Sequence, residues 1–251
     1  MFQAIQDYFR QLAETNPSWN FIYIYDPVQT ARVLEGLWMT IQLSVVCVIF
    51  SVVIGVVGAW LQGSPVRWIR STVQGYIQFF RNTPPLIQLL FFYFALGQFT
   101  PKYSPDGWLE VPIISNVGWA IISLSFFAGA FNVEIFRAGI EAVPESTKEA
   151  SESLGMNRMQ TYGYVVLPLA FRVSLPALNN NLVNLVKTTT QAIVIAVPEL
   201  LYQLVSIYND YSTAQNACMV LMFVVYIALV GILVLTMNRW ERAMRIPGYG
   251  A

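Results

Sequence analysis

The chain has 251 residues, of which 56% are hydrophobic and 11% charged, with 14 basic and 14 acidic side chains and no histidine. So apolar a composition cannot be hidden inside one water-soluble core and points to a membrane protein. Zero formal charge without a basic run argues against a nucleic-acid partner, and the lack of histidine removes the commonest metal ligand and proton shuttle.

Residues 1–36 read as an extracytoplasmic, interfacial leader. Phe2, Ile5, Phe9 and Leu12 share one helical face, and Trp19, Tyr23 and Tyr25 suit headgroup depth. The first span, 37–61, has Gln42 as its one strongly polar member, and its roughly 25 residues give about 37 Å of helix. It is too long and begins too late for a cleaved signal. Ser51, Gly55 and Ala59 recur every fourth residue, so another helix can approach closely there. Beyond Arg67 and Arg70, a second span over 71–96 is interrupted at Arg81-Asn82-Thr83-Pro84-Pro85, where freed carbonyls must face protein or a water-lined cavity. Three prolines and Pro105-Asp106-Gly107 make 98–116 an exposed, non-helical loop. A third span covers 117–140, a fourth 175–205 and a fifth 214–237, within a transmembrane region of 37–238 that a tail, 239–251, follows. Cys47 and Cys218 lie in apolar stretches as small hydrophobes, so no disulfide or metal site is expected.

Between the third and fourth spans, residues 144–168 carry their own punctuation. Ser146 and Glu149 have the spacing of a capping box after Pro144, and Gly155 stands where a left-handed helix end is cheapest. Asn157 and Gln160 repeat the cap, and Pro168 lacks the donor that a continuing helix needs. The expectation is helix, tight turn, helix; local features leave open whether it docks on anything. Arg67, Arg70, Lys148, Arg158, Arg172, Arg239, Arg242 and Arg245 fall on one side of five spans, against Arg10, Arg32 and Lys102 on the other. The positive-inside rule then puts the amino terminus outside, and the loop and the carboxyl terminus in the cytoplasm.

No Gly-x-x-x-x-Gly-Lys-Ser/Thr stretch exists, so the backbone cradle of P-loop ATPases is missing and any ATP-derived energy must come through a second polypeptide. Glu134 and Arg137 are neighbours on one helical face with Ser123, Phe127, Ala130 and Glu141. An isolated ion near the bilayer centre costs roughly 2.5 to 3.5 kcal/mol. Two readings stand: an internal ion pair that locks helices, or groups that line or gate a pathway. In the fourth span Asn180, Asn184, Lys187, Thr188 and Gln191 build a polar stripe opposite Leu178, Leu182, Leu185 and Ile193. That stripe either faces a solute pathway or hydrogen-bonds across a packing interface.

The run Glu149-Ala150-Ser151, three residues, Gly155, nine residues, Val165, one residue, Leu167-Pro168 resembles the Glu-Ala-Ala loop of ATP-binding-cassette (ABC) importer permeases. Three further stretches are similar to the polar amino acid branch of that family. Arg81-Asn82-Thr83-Pro84-Pro85-Leu86-Ile87-Gln88 is similar to its Arg-Gly-Thr-Pro-Leu-Leu-Val-Gln, and 131–140 to its Tyr-x-Ala-Glu-Ile-x-Arg-Gly-Gly-Ile. Lys187-Thr188-Thr189-Thr190-Gln191 stands where members carry Lys-Asp-Thr-Ser-Leu. The chain departs from the pattern at Ser146-Thr147, where members carry Gly-Gln, and at Thr188 and Gln191.

The resemblance implies an all-α membrane protein of the type I ABC importer permease fold, with about five transmembrane helices and a cytoplasmic helix-turn-helix coupling loop. It implies a permease without catalytic residues or a cofactor of its own, ATP and magnesium being held by partner ATPase subunits. A second permease subunit, an extracytoplasmic amino acid-binding protein and the lipid bilayer are the further partners, and a bacterial inner membrane is the location. The coupling positions it implies are Ser146, Glu149, Ala150, Ser151, Gly155, Leu167 and Pro168. Arg81, Glu134, Arg137, Asn180, Asn184, Lys187, Thr188 and Gln191 are its candidates for the substrate pathway. An ion-coupled secondary transporter, with Glu134 as coupling site, and a structural membrane subunit are the rival readings.

Overall fold

The computed structural model describes residues 2–105 and 107–244, the side chain of Phe2 excepted. The expectations for Phe2, Asp106 and Arg245 with the rest of the tail lie outside the described residues. The elements are helices, apart from one short strand pair: α1 (Phe2–Thr15), α2 (Ile22–Tyr25), α3 (Pro27–Gln62), α4 (Arg67–Asn82), α5 (Pro85–Leu90), β1 (Lys102–Tyr103), β2 (Val111–Pro112), α6 (Asn116–Glu141), α7 (Glu145–Ser153), α8 (Arg158–Gln160), α9 (Leu167–Thr188), α10 (Leu200–Asp210) and α11 (Gln215–Met244).

Four helices among the described residues are long and apolar enough to cross a membrane: Pro27–Gln62, Asn116–Glu141, Arg158–Ile195 and Ser212–Met244. The expected second span is two shorter pieces, because Thr83 takes an extended conformation before Pro84. Gln88 closes this break, its amide nitrogen donating to the carbonyls of Phe80 and Thr83 at 2.9 Å each. The carbonyl of Phe80, which Pro84 deprives of its helical donor, is thereby satisfied inside the protein.

Two expected boundaries are corrected. The first span starts at Pro27, ten residues earlier than expected, so 27–36 belong to α3 and not to the leader. Asp26 explains this, because its carboxylate accepts from the backbone N–H of Val28 (2.8 Å) and Gln29 (3.2 Å), with Pro27 in the first helical position. The fourth span begins before Pro168, which does not stop the helix. The stretch Thr161–Val166 is π-helical, and the missing N–H of Pro168 falls where that pattern hands over to the α-helical one. At its other end the helix tightens to a 3-10 stretch, Thr189–Ile195, and stops at Ala196, whose φ is +56°.

The chain divides into two compact units, each drawing on three segments. The unit of 1–46, 89–121 and 187–231 packs Ile22, Leu200, Leu204, Ile207 and Cys218 together. Tyr23 belongs there too, its hydroxyl donating to the carbonyl of Ala217 at 3.1 Å. In this unit Glu199 is 1% exposed and caps α10, accepting from the N–H of Leu201 (2.8 Å) and Tyr202 (2.9 Å) and from the hydroxyl of Tyr226 (2.8 Å). Thr40 accepts the remaining N–H of the turn, that of Leu200, at 3.0 Å.

The unit of 47–88, 122–186 and 232–251 packs Val73, Ile77, Val133, Phe136, Leu178 and Leu182. The small-residue stripe of α3 faces α6 here: a Cβ added at Gly55 would collide with Asn132, and one at Gly58 with Val133.

Candidate functional site

The functional candidates at 81, 134, 137 and 145–184 all belong to the second unit, and the loop is the best defined of them. The helix α7 follows Pro144, which offers no side-chain cap; Ser146 lies inside its first turn, so the Ser146–Glu149 capping box does not form. Fixed φ at Pro144 and one fewer residue before the helix leave Ser146 too late in the turn to act as cap. The other end closes by a Schellman arrangement: the N–H of Met156 donates to the carbonyl of Ser151 (3.2 Å) and that of Gly155 to Glu152 (2.9 Å). Gly155 has φ of +85°, a conformation glycine adopts without steric cost. Asn157 then forms the expected capping box, its side chain accepting from the N–H of Gln160 at 3.0 Å while Gln160 accepts from the N–H of Asn157 at 2.9 Å.

Ser151 faces inward, and its hydroxyl shares a 2.9 Å hydrogen bond with that of Thr161, both groups being buried. Beneath them Val143, Val166 and Ala170 form a small apolar core. Glu149, Ala150, Gly155, Leu167 and Pro168 are exposed. Among the described residues no basic side chain pairs with Glu149, whereas Lys148 binds Glu145 at 2.7 Å, which raises the affinity of its amine for a proton. Two apolar side chains flank the turn in open solvent, Leu154 at 81% exposure and Met159 at 85%. Neither belongs to the spaced positions of the loop. Their signal was an apolar residue on each side of a glycine turn in an otherwise polar loop.

Glu134 lies at the centre of a second cluster. Its carboxylate meets Arg137 at 3.0 Å and Arg81, from α4, at 3.7 Å, while Arg137 also binds Glu141 at 2.6 Å. The Arg81 guanidinium stands 5.3 Å from the centre of the Phe131 ring. These groups are partly exposed, so the cluster is an ion pair open on one side rather than one sealed in the core.

The helix α9 sorts its three consecutive asparagines. Asn180 is exposed, as is Asn184, while Leu178 and Leu182 on the opposite side are buried. Residues one step either side of Asn180 are rotated by about 100° and meet neighbouring helices. Asn179 donates to Glu241 of α11 at 3.1 Å. Asn181 donates to the carbonyl of Ala128 at 3.0 Å and to the side-chain oxygen of Asn132 at 2.8 Å; Asn132 in turn donates to Ser51 at 3.2 Å. This buried network across α3, α6 and α9 was missed, because a single-helix periodicity cannot show which flank finds a partner.

The remaining candidates, Lys187, Thr188 and Gln191, belong to the first unit. Lys187 is exposed, Thr188 is buried, and the amide oxygen of Gln191 is buried without a hydrogen-bond partner among the described residues. Thr188, still α-helical, lies about 100° round from Lys187 and so leaves the exposed face, and the 3-10 winding from Thr189, about 120° per residue, carries Gln191 out of register with the stripe.

A family profile described as binding-protein-dependent transport system inner membrane component matches residues 51–243. The probable amino-acid permease protein YxeN of Bacillus subtilis (strain 168) is 29% identical over 91% of this chain and 96% of its own. The glutamate transport system permease protein GluC of Corynebacterium efficiens is 32% identical over 81% of this chain and 87% of its own. Among solved structures, one described as the crystal structure of an amino acid ABC transporter with histidines aligns with a TM-score of 0.72 at 28% identity, covering 85% of this chain and 94% of that one.

Proposed function

Because the chain belongs to the family of binding-protein-dependent transport system inner membrane components, we propose that it is the membrane subunit of an ATP-driven amino acid importer. In this reading it forms half of the translocation pathway and couples to an ATPase subunit through the loop at 144–168. A second permease, the same or homologous, supplies the other half, and a soluble binding protein delivers the amino acid from outside. The chain spans a bacterial inner membrane with the loop on the cytoplasmic side and the amino terminus outside.

One observation carries the coupling role: the loop satisfies its own backbone by the Schellman closure and the Asn157–Gln160 box, yet leaves Glu149, Leu154 and Met159 pointing at solvent. A segment held in shape from within and apolar without is suited to seat in a groove of another protein. The amino acid substrate is supported by the relatives YxeN, a probable amino-acid permease protein, and GluC, a glutamate transport system permease protein. Glu134 engages two guanidinium groups at once, which fits a gate or a pathway wall better than a freely exchanging proton site and favours this reading over ion-coupled transport.

Glu149→Lys tests it. Uptake driven by ATP is expected to fall at least tenfold, the equivalent of about 1.4 kcal/mol in coupling, with insertion of the chain into the membrane unchanged. Undiminished uptake by that variant contradicts the coupling role.

A further inference from the structure

The strand pair that joins α5 and its continuation to α6 has a two-faced character that no part of the transport reading uses. The antiparallel register sets Tyr103 opposite Val111 and Lys102 opposite Pro112, and the N–H of Ile113 extends the pairing to the carbonyl of Pro101 at 3.0 Å. Directly opposed residues share a face and neighbours along a strand alternate. Carried to two residues before Val111 and one past Pro112, that alternation puts Leu109 and Ile113 with Val111 and Tyr103, while Lys102, Glu110 and Pro112 take the other face; Trp108 stands in the bend before Leu109, outside the alternation. On the apolar side Tyr103, Leu109 and Ile113 are exposed and Val111 is half-buried, and Trp108 in the adjoining bend is 95% exposed.

We propose that this hairpin is a membrane anchor whose apolar face, with Trp108, lies in the lipid headgroup layer. Three observations select lipid as the occupant. The hairpin directly follows in sequence the apolar helical stretch Pro85–Phe99, on which Phe91, Phe94 and Phe99 are exposed. Only two residues separate Phe99 from β1, and three separate β2 from the membrane-crossing helix Asn116–Glu141. At about 3.3 Å per residue β1 lies at most about 10 Å from the end of the first stretch and β2 at most about 13 Å from the start of the second, which keeps the hairpin near the polar layer that borders the hydrocarbon core. The hairpin also combines a tyrosine on that face and a tryptophan in its bend with aliphatic side chains, the mixture enriched at membrane–water interfaces, and sets a lysine and a glutamate on the opposite face.

The experiment uses the full chain in phospholipid vesicles, with a nitroxide attached at Tyr103→Cys, Leu109→Cys, Lys102→Cys or Glu110→Cys. Cys47 and Cys218 are buried, and the unsubstituted chain is the labelling control. Collision with oxygen, which concentrates in lipid, is compared with collision with a water-soluble nickel chelate. The oxygen-to-nickel ratio is expected to be severalfold higher at 103 and 109 than at 102 and 110. A uniformly nickel-accessible hairpin overturns the proposal. So does protection from both reagents at 103 and 109, the signature of a protein cover such as a second copy of the chain. Protection that arises only when the soluble binding protein is added assigns the face to that partner and equally overturns it. An unlabelled measurement guards against perturbation by the probe: quenching of native fluorescence by lipids brominated near the headgroup should decrease in Trp108→Phe, and an unchanged quenched fraction counts against the anchor.

Discussion

Two turns between helices, at 154–157 and at 196–199, close by the same backbone pattern and differ in what else holds them. Each must satisfy the carbonyls of an ending helix and the N–H groups of a starting one. At 154–157 every partner is local: Gly155 and Met156 close α7, and Asn157 with Gln160 opens α8. At 196–199 the closure is local too, the N–H of Ala196 going to Ile193 and that of Val197 to Ala192, but distant partners are added: Thr40 of α3 accepts the N–H of Leu200 and Tyr226 of α11 donates to the buried Glu199 carboxylate. A turn that depends on its surroundings is fixed by them. A turn complete in itself keeps its outer face available, which is why the first is the docking candidate and the second is a structural lock.

Stability measurements on the purified chain can break this contrast. Glu199→Ala removes a cap and strands the Tyr226 hydroxyl and two N–H groups in the interior, so a loss of about 3 kcal/mol is expected. Tyr226→Phe deletes one of those bonds and should cost about 1 kcal/mol. Gly155→Ala forces a side chain into left-handed backbone and should cost about 1 kcal/mol, confined to the loop, where protease nicking would report it. The smallest effect has the opposite sign: Ala196→Gly relieves the same backbone conformation and should stabilise by roughly 0.5 kcal/mol. A Glu199→Ala chain as stable as the parent would remove the distinction between the two turns.

The same contrast sets what was legible in the sequence. The loop could be read because its signals, Gly155 and the Asn157–Gln160 pair, lie within a few residues of what they satisfy. The failed Ser146 cap shows the limit of that logic, since Pro144 already fixes where the helix starts. Pro168 misled for a related reason: a π-helical stretch absorbs the missing donor, and no local rule announces one. Spans rich in apolar residues were visible, but their ends were set by Asp26 and Ala196, which act through backbone geometry rather than hydropathy. Glu199, Asn132 and Asn181 were silent because each finds its partners on other helices. The polar stripe was half visible. Period 3.6 marked Asn180 and Asn184 as one face, but could not foresee that the flanking amides would be used for packing or that the winding changes after Thr188.

The coupling role of the loop is the claim on which the functional account stands, and photo-crosslinking from its tip tests it most directly. With a photoreactive residue in place of Leu154, in membranes of cells that make the whole transport assembly, irradiation is predicted to join this chain to a nucleotide-hydrolysing subunit, and Glu149→Lys to weaken that adduct. An adduct with lipid alone, or none with any protein, would contradict the account.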